Sequence, residues 1–184
     1  MNIFTFFIIL IAALIIFGLS AYNALISGRL RIKEAWSQID VQLKRRADLI
    51  PNLVSSVKGY EKHEKTVFES VNQARQKLLG AKGPSEKAKA NDTLTASLKS
   101  LFALAEAYPN LKANENFLEL QKELSDTEDK VAYSRQFYNS AVLDFNTRLK
   151  TFPTVTIANY LGFREEEFYE AATYDREKVS VDFS

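Results

Sequence analysis

From Trp36 onward, apolar side chains recur at alternating intervals of three and four residues. This spacing places them along one stripe of an α-helix, and it is typical of helices that pack side by side. The stripe predicts a long, coiled-coil-like helix from about Arg29 to Leu79, ended by the glycines and proline of 80–84. Its members are Trp36, Ile39, Leu43, Ile50, Leu53, Val57, Tyr60, Val67, Val71, Ala74 and Leu78.

Two further stretches with the same spacing predict two more long helices. The second begins near Ser85, a good N-cap, and ends at Pro109. The third begins near Asn114 and reaches about Leu149, and an apolar patch over 157–163 predicts a short fourth helix. Because no strand-like run of consequence occurs and short connections favour antiparallel neighbours, the predicted fold class is all-α. We expect an antiparallel bundle of three long helices plus a short fourth.

The first 26 residues contain no charged side chain. About 20 apolar residues suffice to cross a hydrocarbon core ~30 Å thick, so this stretch predicts a transmembrane helix that continues into the bundle. A cleaved signal peptide is the alternative, and it is disfavoured because no basic residue precedes the apolar run. The expected organisation is a membrane anchor over 1–28, a helical bundle over 29–163 and a C-terminal tail over 164–184.

Basic residues immediately follow the apolar run. Arg29, Arg31 and Lys33 lie on this side, whereas no Lys or Arg lies on the other. The positive-inside rule therefore predicts a single-pass protein with its N-terminus outside and its bundle in the cytoplasm. These three side chains are predicted to contact lipid headgroups, each contributing about 1 kcal/mol at an anionic surface.

Two residues of the stretch LKRRADLIPNL conflict with a simple apolar helix. Pro51 cannot donate a backbone hydrogen bond, but the stripe resumes in phase after it, which predicts a kink and not an end. Arg46 occupies a stripe position, and a buried charge needs a partner. Glu128 on the third helix is the expected partner, and Glu64 with Arg135 forms a second possible pair. Such polar positions can fix helix register.

Four blocks of the chain resemble the LemA family of bacterial membrane proteins. The blocks are VQLKRRADLIPNLVSSVKGYEKHE, YPNLKANENFLELQKEL, SRQFYNSAV followed by FNTRLKTFP, and the closing GF and VDF. The resemblance runs from about Arg29 to Phe183 and implies a cytoplasmic helical bundle anchored in the bacterial inner membrane. Related proteins include one associated with magnetosome formation, and family members are often encoded near membrane-bound proteases. The resemblance therefore implies an organising or adaptor role.

Residue types that support catalysis are sparse. The chain has no cysteine and one histidine, His63, which excludes cysteine nucleophiles, histidine-based triads and multi-histidine metal sites within one chain. A net charge of +1 gives no basic field for nucleic acid. We therefore predict no enzyme activity, no cofactor, no metal, no nucleic acid and no small-molecule substrate. A carboxylate–metal enzyme built on Glu64 and Glu128 is a minor alternative.

The predicted function is a scaffold or adaptor that acts through contacts on helix surfaces. Its expected partners are membrane lipid and either other proteins, a membrane-bound protease among them, or copies of the same chain. A self-assembling protein that organises a membrane domain is the alternative. Asn139 and Asn146, one heptad apart, would bond either to another helix of the chain or to a partner chain. The candidate interaction or register residues are Arg46, Asp48, Pro51, Asn52, Glu64, Glu128, Arg135, Tyr138, Asn139 and Asn146.

Overall fold

The computed structural model describes residues 2–58 and 65–170. Within these ranges the chain forms helices and no strand, which confirms the all-α prediction. A long, apolar N-terminal helix comes first, as predicted. The helices are α1 (Ile3–Lys58), α2 (Lys65–Gly80), α3 (Gly83–Glu106), α4 (Pro109–Lys112), α5 (Glu115–Lys150) and α6 (Thr154–Tyr160).

The chain divides into two compact units. Unit 1 comprises 1–37 and 136–167, and unit 2 comprises 38–135 and 168–184. The long helices α1 and α5 each contribute residues to both units, while α2, α3 and α4 belong to unit 2 and α6 belongs to unit 1.

Helix ends lie close to the predicted positions because the capping chemistry is local. Asn114 caps α5, since its side-chain Oδ1 accepts a hydrogen bond from the backbone N–H of Phe117 at 3.1 Å. Helix α3 begins at Gly83, two residues before the predicted Ser85. Pro84 fits in its first turn, where a backbone N–H is not needed. The Glu86 carboxylate then accepts the backbone N–H of Lys82 at 2.9 Å.

The single helix predicted over 29–79 is replaced by two helices, α1 and α2. The side-chain Nε of Arg75 on α2 lies 2.7 Å from the backbone oxygen of Ala47 on α1. A continuous helix would place these residues about 42 Å apart at ~1.5 Å per residue, so it is excluded. The apolar stripe did not predict two helices because its spacing is the same on both sides of 59–64. Residues 59–64, which include Tyr60, lie outside the described ranges.

The apolar stripes form the core of unit 2. Each fully buried Val, Leu, Ile or Phe side chain contributes about 1.5–3 kcal/mol relative to an exposed one. Helices α2 and α3 are joined by only two residues and form a helical hairpin, the expected geometry for so short a connection. The buried stripe residues of unit 2 are Ile39, Leu43, Ile50, Leu53, Val57, Val71, Ala74, Leu78, Leu94, Leu98, Leu101, Ala105, Phe117, Leu124 and Val131.

In unit 1 the first part of α1 packs antiparallel to the last part of α5. The rings of Trp36 and Tyr138 lie 5.7 Å apart. Further toward the N-terminus of α1, a Cβ on Gly28 would lie 3.1 Å from the ring of Phe145. The absence of a side chain at Gly28 therefore permits this close approach.

The N-terminal part of α1 is exposed and apolar. An 18-residue window of this helix meets the length and composition of a membrane span, and none of the window is buried. Because a soluble core helix would be mostly covered, this exposure favours a span over a core helix.

Gly162 ends α6 in a Schellman motif. Its φ of 72° lies in the left-handed region, its N–H donates to the Asn159 oxygen at 3.2 Å, and the Phe163 N–H donates to the Ala158 oxygen at 3.0 Å. Phe163 is thereby placed against Phe145, with ring centroids 6.4 Å apart.

Replacing Gly162 with alanine is expected to lower the thermal stability of unit 1, because a left-handed backbone costs a residue with a Cβ about 1–2 kcal/mol. Gly80→Ala is the matched control. Gly80 is the last residue of α2, but its φ is not positive and a Cβ there meets nothing within 4 Å. Equal melting temperatures for the two variants, measured by circular dichroism, would contradict the assignment of Gly162 as the obligatory cap.

Candidate functional site

Arg46 is almost fully buried in unit 2, with 2% of the residue exposed. Its Nη1 donates to the Asn91 Oδ1 on α3 at 2.8 Å, and its Nη2 lies 3.4 Å from the Glu128 Oε2 on α5. The structure therefore brings Arg46 and Glu128 together, as the stripe positions predicted, and adds Asn91. One side chain of α1 thus contacts both α3 and α5.

Ala47, the next residue along α1, contacts α2 through its backbone oxygen. Pro51 has no N–H, so the backbone oxygen of Ala47 lacks its usual donor within the helix. Arg75 of α2 donates to this oxygen at 2.7 Å. The backbone oxygen of Ala47, which has no donor within α1 because of Pro51, therefore bonds to α2. We call Arg46, Ala47, Arg75, Asn91 and Glu128 the polar hub.

The polar hub is only partly screened from water. Burial lowers the pKa of the Arg46 guanidinium, and the negative charge of Glu128 opposes this effect. The guanidinium remains protonated because arginine does not lose its proton in proteins. The Glu128 side chain is 53% exposed, so water screens its attraction to Arg46.

A cavity of about 200 Å³ lies beside Arg46. Its wall combines polar groups of Thr95, Lys99 and Gln121 with the apolar side chain of Phe102. Because Glu128 also lines the cavity and already neutralises Arg46, the arrangement favours a structural ion pair over a site for an anion.

Tyr169 joins this region from the segment that follows α6. It is 2% exposed, and burial, together with the charge of Asp92, raises its pKa to about 12, while the charges of Arg135 and Arg46 act in the opposite direction. The half-buried Arg135 thus acts on the same Tyr169 phenol as Arg46.

The raised pKa of Tyr169 predicts a loss of stability at alkaline pH. Its phenol is neutral in the folded chain up to about pH 12, whereas an ordinary tyrosine ionises near pH 10. Because the unfolded chain releases the proton first, the stabilising contribution is complete below pH 10 and is lost as the pH approaches 12. We expect Tyr169→Phe to flatten this decline in denaturation experiments, whereas Tyr133→Phe, at an exposed position, should leave it unchanged. Parallel pH profiles for wild type and Tyr169→Phe would contradict the shift.

Tyr138 and Asn146 form internal contacts in unit 1. The Tyr138 hydroxyl donates to the backbone oxygen of Glu167 at 2.8 Å. Asn146 exchanges two hydrogen bonds with the backbone of Glu166, each 2.9 Å long. Both side chains therefore hold the segment after α6 against α5. The Asn146 side chain thus bonds within the chain, to the segment after α6 and not to another helix, and Asn139 is half-buried.

The other predicted residues are exposed or lie outside the described ranges. Asp48, Pro51 and Asn52 are exposed on α1, and Glu64 is outside the described residues. Among the membrane-surface candidates, Arg29 pairs with Glu166 at 3.3 Å. Arg31 lies over the Phe137 ring at 5.4 Å, and Lys33 is exposed.

The described residues do not assemble a metal site. Within 2–58 and 65–170, no group of three or more histidine, aspartate or glutamate side chains is placed to hold a metal ion. The carboxylate–metal alternative relied on Glu64, which these ranges do not include.

Sequence reasoning missed Arg75, Asn91 and Tyr169. Asn91 lies three residues before Leu94, on the same stripe of α3, so a polar residue at that position was a usable signal. Arg75 had no such signal, because its partner is a backbone oxygen on another helix.

Comparison with known proteins identifies the family. The model of the LemA family matches residues 35–183. The chain belongs to the LemA family. It is 28% identical over 183 residues to Protein LemA of Metamycoplasma hominis, covering 97% of this chain and 81% of that relative.

Two further similarities are to magnetosome proteins. The chain is 23% identical over 177 residues to Magnetosome protein MamQ of Magnetospirillum gryphiswaldense, and the match covers 82% of this chain and 65% of that protein. It is 22% identical over 178 residues to Magnetosome protein MamQ 2 of Paramagnetospirillum magneticum, covering 83% of this chain and 65% of that protein. Family membership and the apolar span of α1 together indicate a membrane protein.

Proposed function

We propose that this LemA-family protein is a non-catalytic, membrane-anchored scaffold or adaptor that binds a partner protein through one exposed face of α1. The observation that carries the proposal is the extent of α1. One helix, Ile3–Lys58, contains both the apolar span and a long exposed face in unit 2. A partner bound to that face would be held at the membrane by the same helix.

The exposed face lies opposite the buried stripe of α1. We call Val41, Lys44, Asp48, Pro51 and Asn52 the α1 surface; all five are exposed. Their spacing of three and four residues places them along one side of the helix. Val41 is an exposed apolar residue at 59% among polar neighbours, a composition suited to a protein contact.

The polar hub supports this role by fixing the helices behind the α1 surface. Arg46 and Ala47 contact all three other long helices of unit 2, and polar groups at such positions can specify helix register. The polar hub therefore orients the α1 surface from the buried side of α1. Membership of the LemA family and the similarity to two magnetosome proteins are consistent with a non-catalytic protein at a membrane.

Photo-crosslinking in native membranes tests this function. A photoreactive amino acid at Asn52 should capture a second protein in a fixed ratio, identified by mass spectrometry, and the same group at exposed Lys122 on α5 should not. Capture of this chain alone from Asn52 would contradict the adaptor and favour the self-assembling alternative. Equal capture from both positions would show that the α1 surface is not the docking face.

The proposed orientation has the N-terminus outside and the bundle in the cytoplasm, because Arg29, Arg31 and Lys33 directly follow the apolar span. The chain contains no cysteine, so Asn52→Cys introduces a single reporter. We expect a membrane-impermeant maleimide to label it only after spheroplasts are permeabilised. Labelling in intact spheroplasts would show that residue 52 lies outside the membrane and would contradict the proposed orientation.

A further inference from the structure

Three large side chains near α6 are exposed. Phe152 before the helix is 85% exposed, Tyr160 at its last turn is 89% exposed, and Leu161 after it is 46% exposed. Ala158, about half a helical turn from Tyr160, is buried, so α6 has a buried side and exposed residues at its C-terminal end. We call Phe152, Tyr160 and Leu161 the α6 patch.

The α6 patch is part of a segment that contacts α1 near the end of its apolar run. Residues 161–166 line a cavity of about 530 Å³ together with Tyr22, Ile26 and Arg29 of α1. The Glu166 carboxylate also pairs with the Arg29 side chain at 3.3 Å. The chain that follows α6 is thus held against residues 22–29 of α1, within unit 1.

The same part of α1 is where a membrane span would leave the hydrocarbon core. About 20 helical residues cover the ~30 Å core, so a span that starts at Ile3 leaves it near Tyr22. From Tyr22 to Arg29 the helix rises about 10 Å more, which corresponds to the headgroup layer. Tyr22 is itself exposed and suits that layer, where tyrosine is enriched.

Basic side chains accompany the α6 patch. Arg148 and Arg164 are exposed, and Lys150 pairs with Glu165 at 2.8 Å. Glu165 and Glu166 in this segment are paired with Lys150 and Arg29, so the end of unit 1 near α6 has aromatic groups beside the exposed side chains of Arg148 and Arg164. That combination suits an anionic lipid surface, where aromatic rings occupy the headgroup level and cations bind phosphates.

We propose that the α6 patch is a second membrane contact, which inserts Phe152, Tyr160 and Leu161 at the headgroup–acyl boundary beside the α1 span. The occupant of this surface is the lipid bilayer into which α1 inserts. This inference rests on the membrane anchoring included in the proposed function. The α6 patch would give the chain an interfacial contact in addition to the α1 span, and this contact would hold the C-terminal end of α5 at the membrane.

Tryptophan fluorescence in lipid vesicles tests the proposal. The full chain would carry Trp36→Phe, which keeps an aromatic ring beside Tyr138, and one new tryptophan. Tyr160→Trp reports on the α6 patch, Phe17→Trp on the apolar span, and Tyr133→Trp, at a position 72% exposed on α5, serves as the control. The vesicles contain phosphatidylglycerol and phosphatidylcholine brominated near the glycerol end of the acyl chains.

We expect bromine to quench both Tyr160→Trp and Phe17→Trp, with blue-shifted emission, and to leave Tyr133→Trp unchanged. Quenching of Phe17→Trp without quenching of Tyr160→Trp would overturn the second contact while leaving the anchor in place. Absence of quenching at Phe17→Trp would overturn the anchor itself and this inference with it. Equal quenching at Tyr133→Trp and Tyr160→Trp would also overturn it, since the contact would not be specific to the α6 patch.

Discussion

Replacing Arg46 with alanine is expected to lower the free energy of unfolding by about 3–5 kcal/mol. The substitution removes a long side chain from a position that is 2% exposed, which leaves a cavity among α1, α3 and α5. It also removes the donor to the Asn91 oxygen. Urea denaturation followed by circular dichroism in detergent micelles measures the loss.

Two further variants separate packing from charge at this position. Arg46→Met restores most of the volume without the charge, and it should lose less stability than Arg46→Ala because the methionine side chain fills the cavity and the 53% exposed Glu128 side chain can be solvated without its partner. Arg45→Ala is the matched control: its side chain is 52% exposed and lies 3.8 Å from Glu123, so we expect a change within about 0.5 kcal/mol. If Arg46→Ala were as mild as Arg45→Ala, Arg46 would not be a buried member of the polar hub.

Replacing Arg75 with methionine is expected to lower the free energy of unfolding by about 1–3 kcal/mol, the cost of an unsatisfied buried polar group. The group concerned is the backbone oxygen of Ala47, a fully buried residue. In a Pro51→Ala background, residue 51 regains an N–H that can donate to Ala47. The same Arg75→Met substitution should then cost less, and a double-mutant cycle measures the difference.

Lys77→Met is the control for this cycle, because Lys77 is exposed on α2. We expect it to have little effect in either background. An equal loss for Arg75→Met with and without Pro51 would show that the freed oxygen of Ala47 is not what attaches α2 through Arg75.

The periodic part of the fold could be predicted from the sequence. Apolar spacing identified the buried faces of α1, α3 and α5, and the Asn114 cap was confirmed because capping depends on a few adjacent residues. The division between α1 and α2 could not be predicted in this way. A stripe that continues in phase is equally compatible with one helix or with two helices that each bury the same face, and only the contact of Arg75 with Ala47 distinguishes them.

The candidate site was predictable to a similar extent. A buried charge needs an opposite charge nearby, so the stripe position of Arg46 predicted its contact with Glu128. Tyr138 and Asn146 were also singled out, but their partners are backbone atoms of Glu166 and Glu167. Contacts with backbone groups of distant segments leave no pattern in the sequence, so their internal role became evident only from the structure.

Affinity purification of an Asp48→Lys variant from native membranes shows whether a partner protein docks on the α1 surface. Asp48 lies on the α1 surface, exposed and outside the polar hub, so reversing its charge should leave the bundle folded. We expect the partner recovered with wild type to be lost from Asp48→Lys and kept by a Lys122→Glu control. Undiminished recovery of the same partner by Asp48→Lys would contradict docking through the α1 surface.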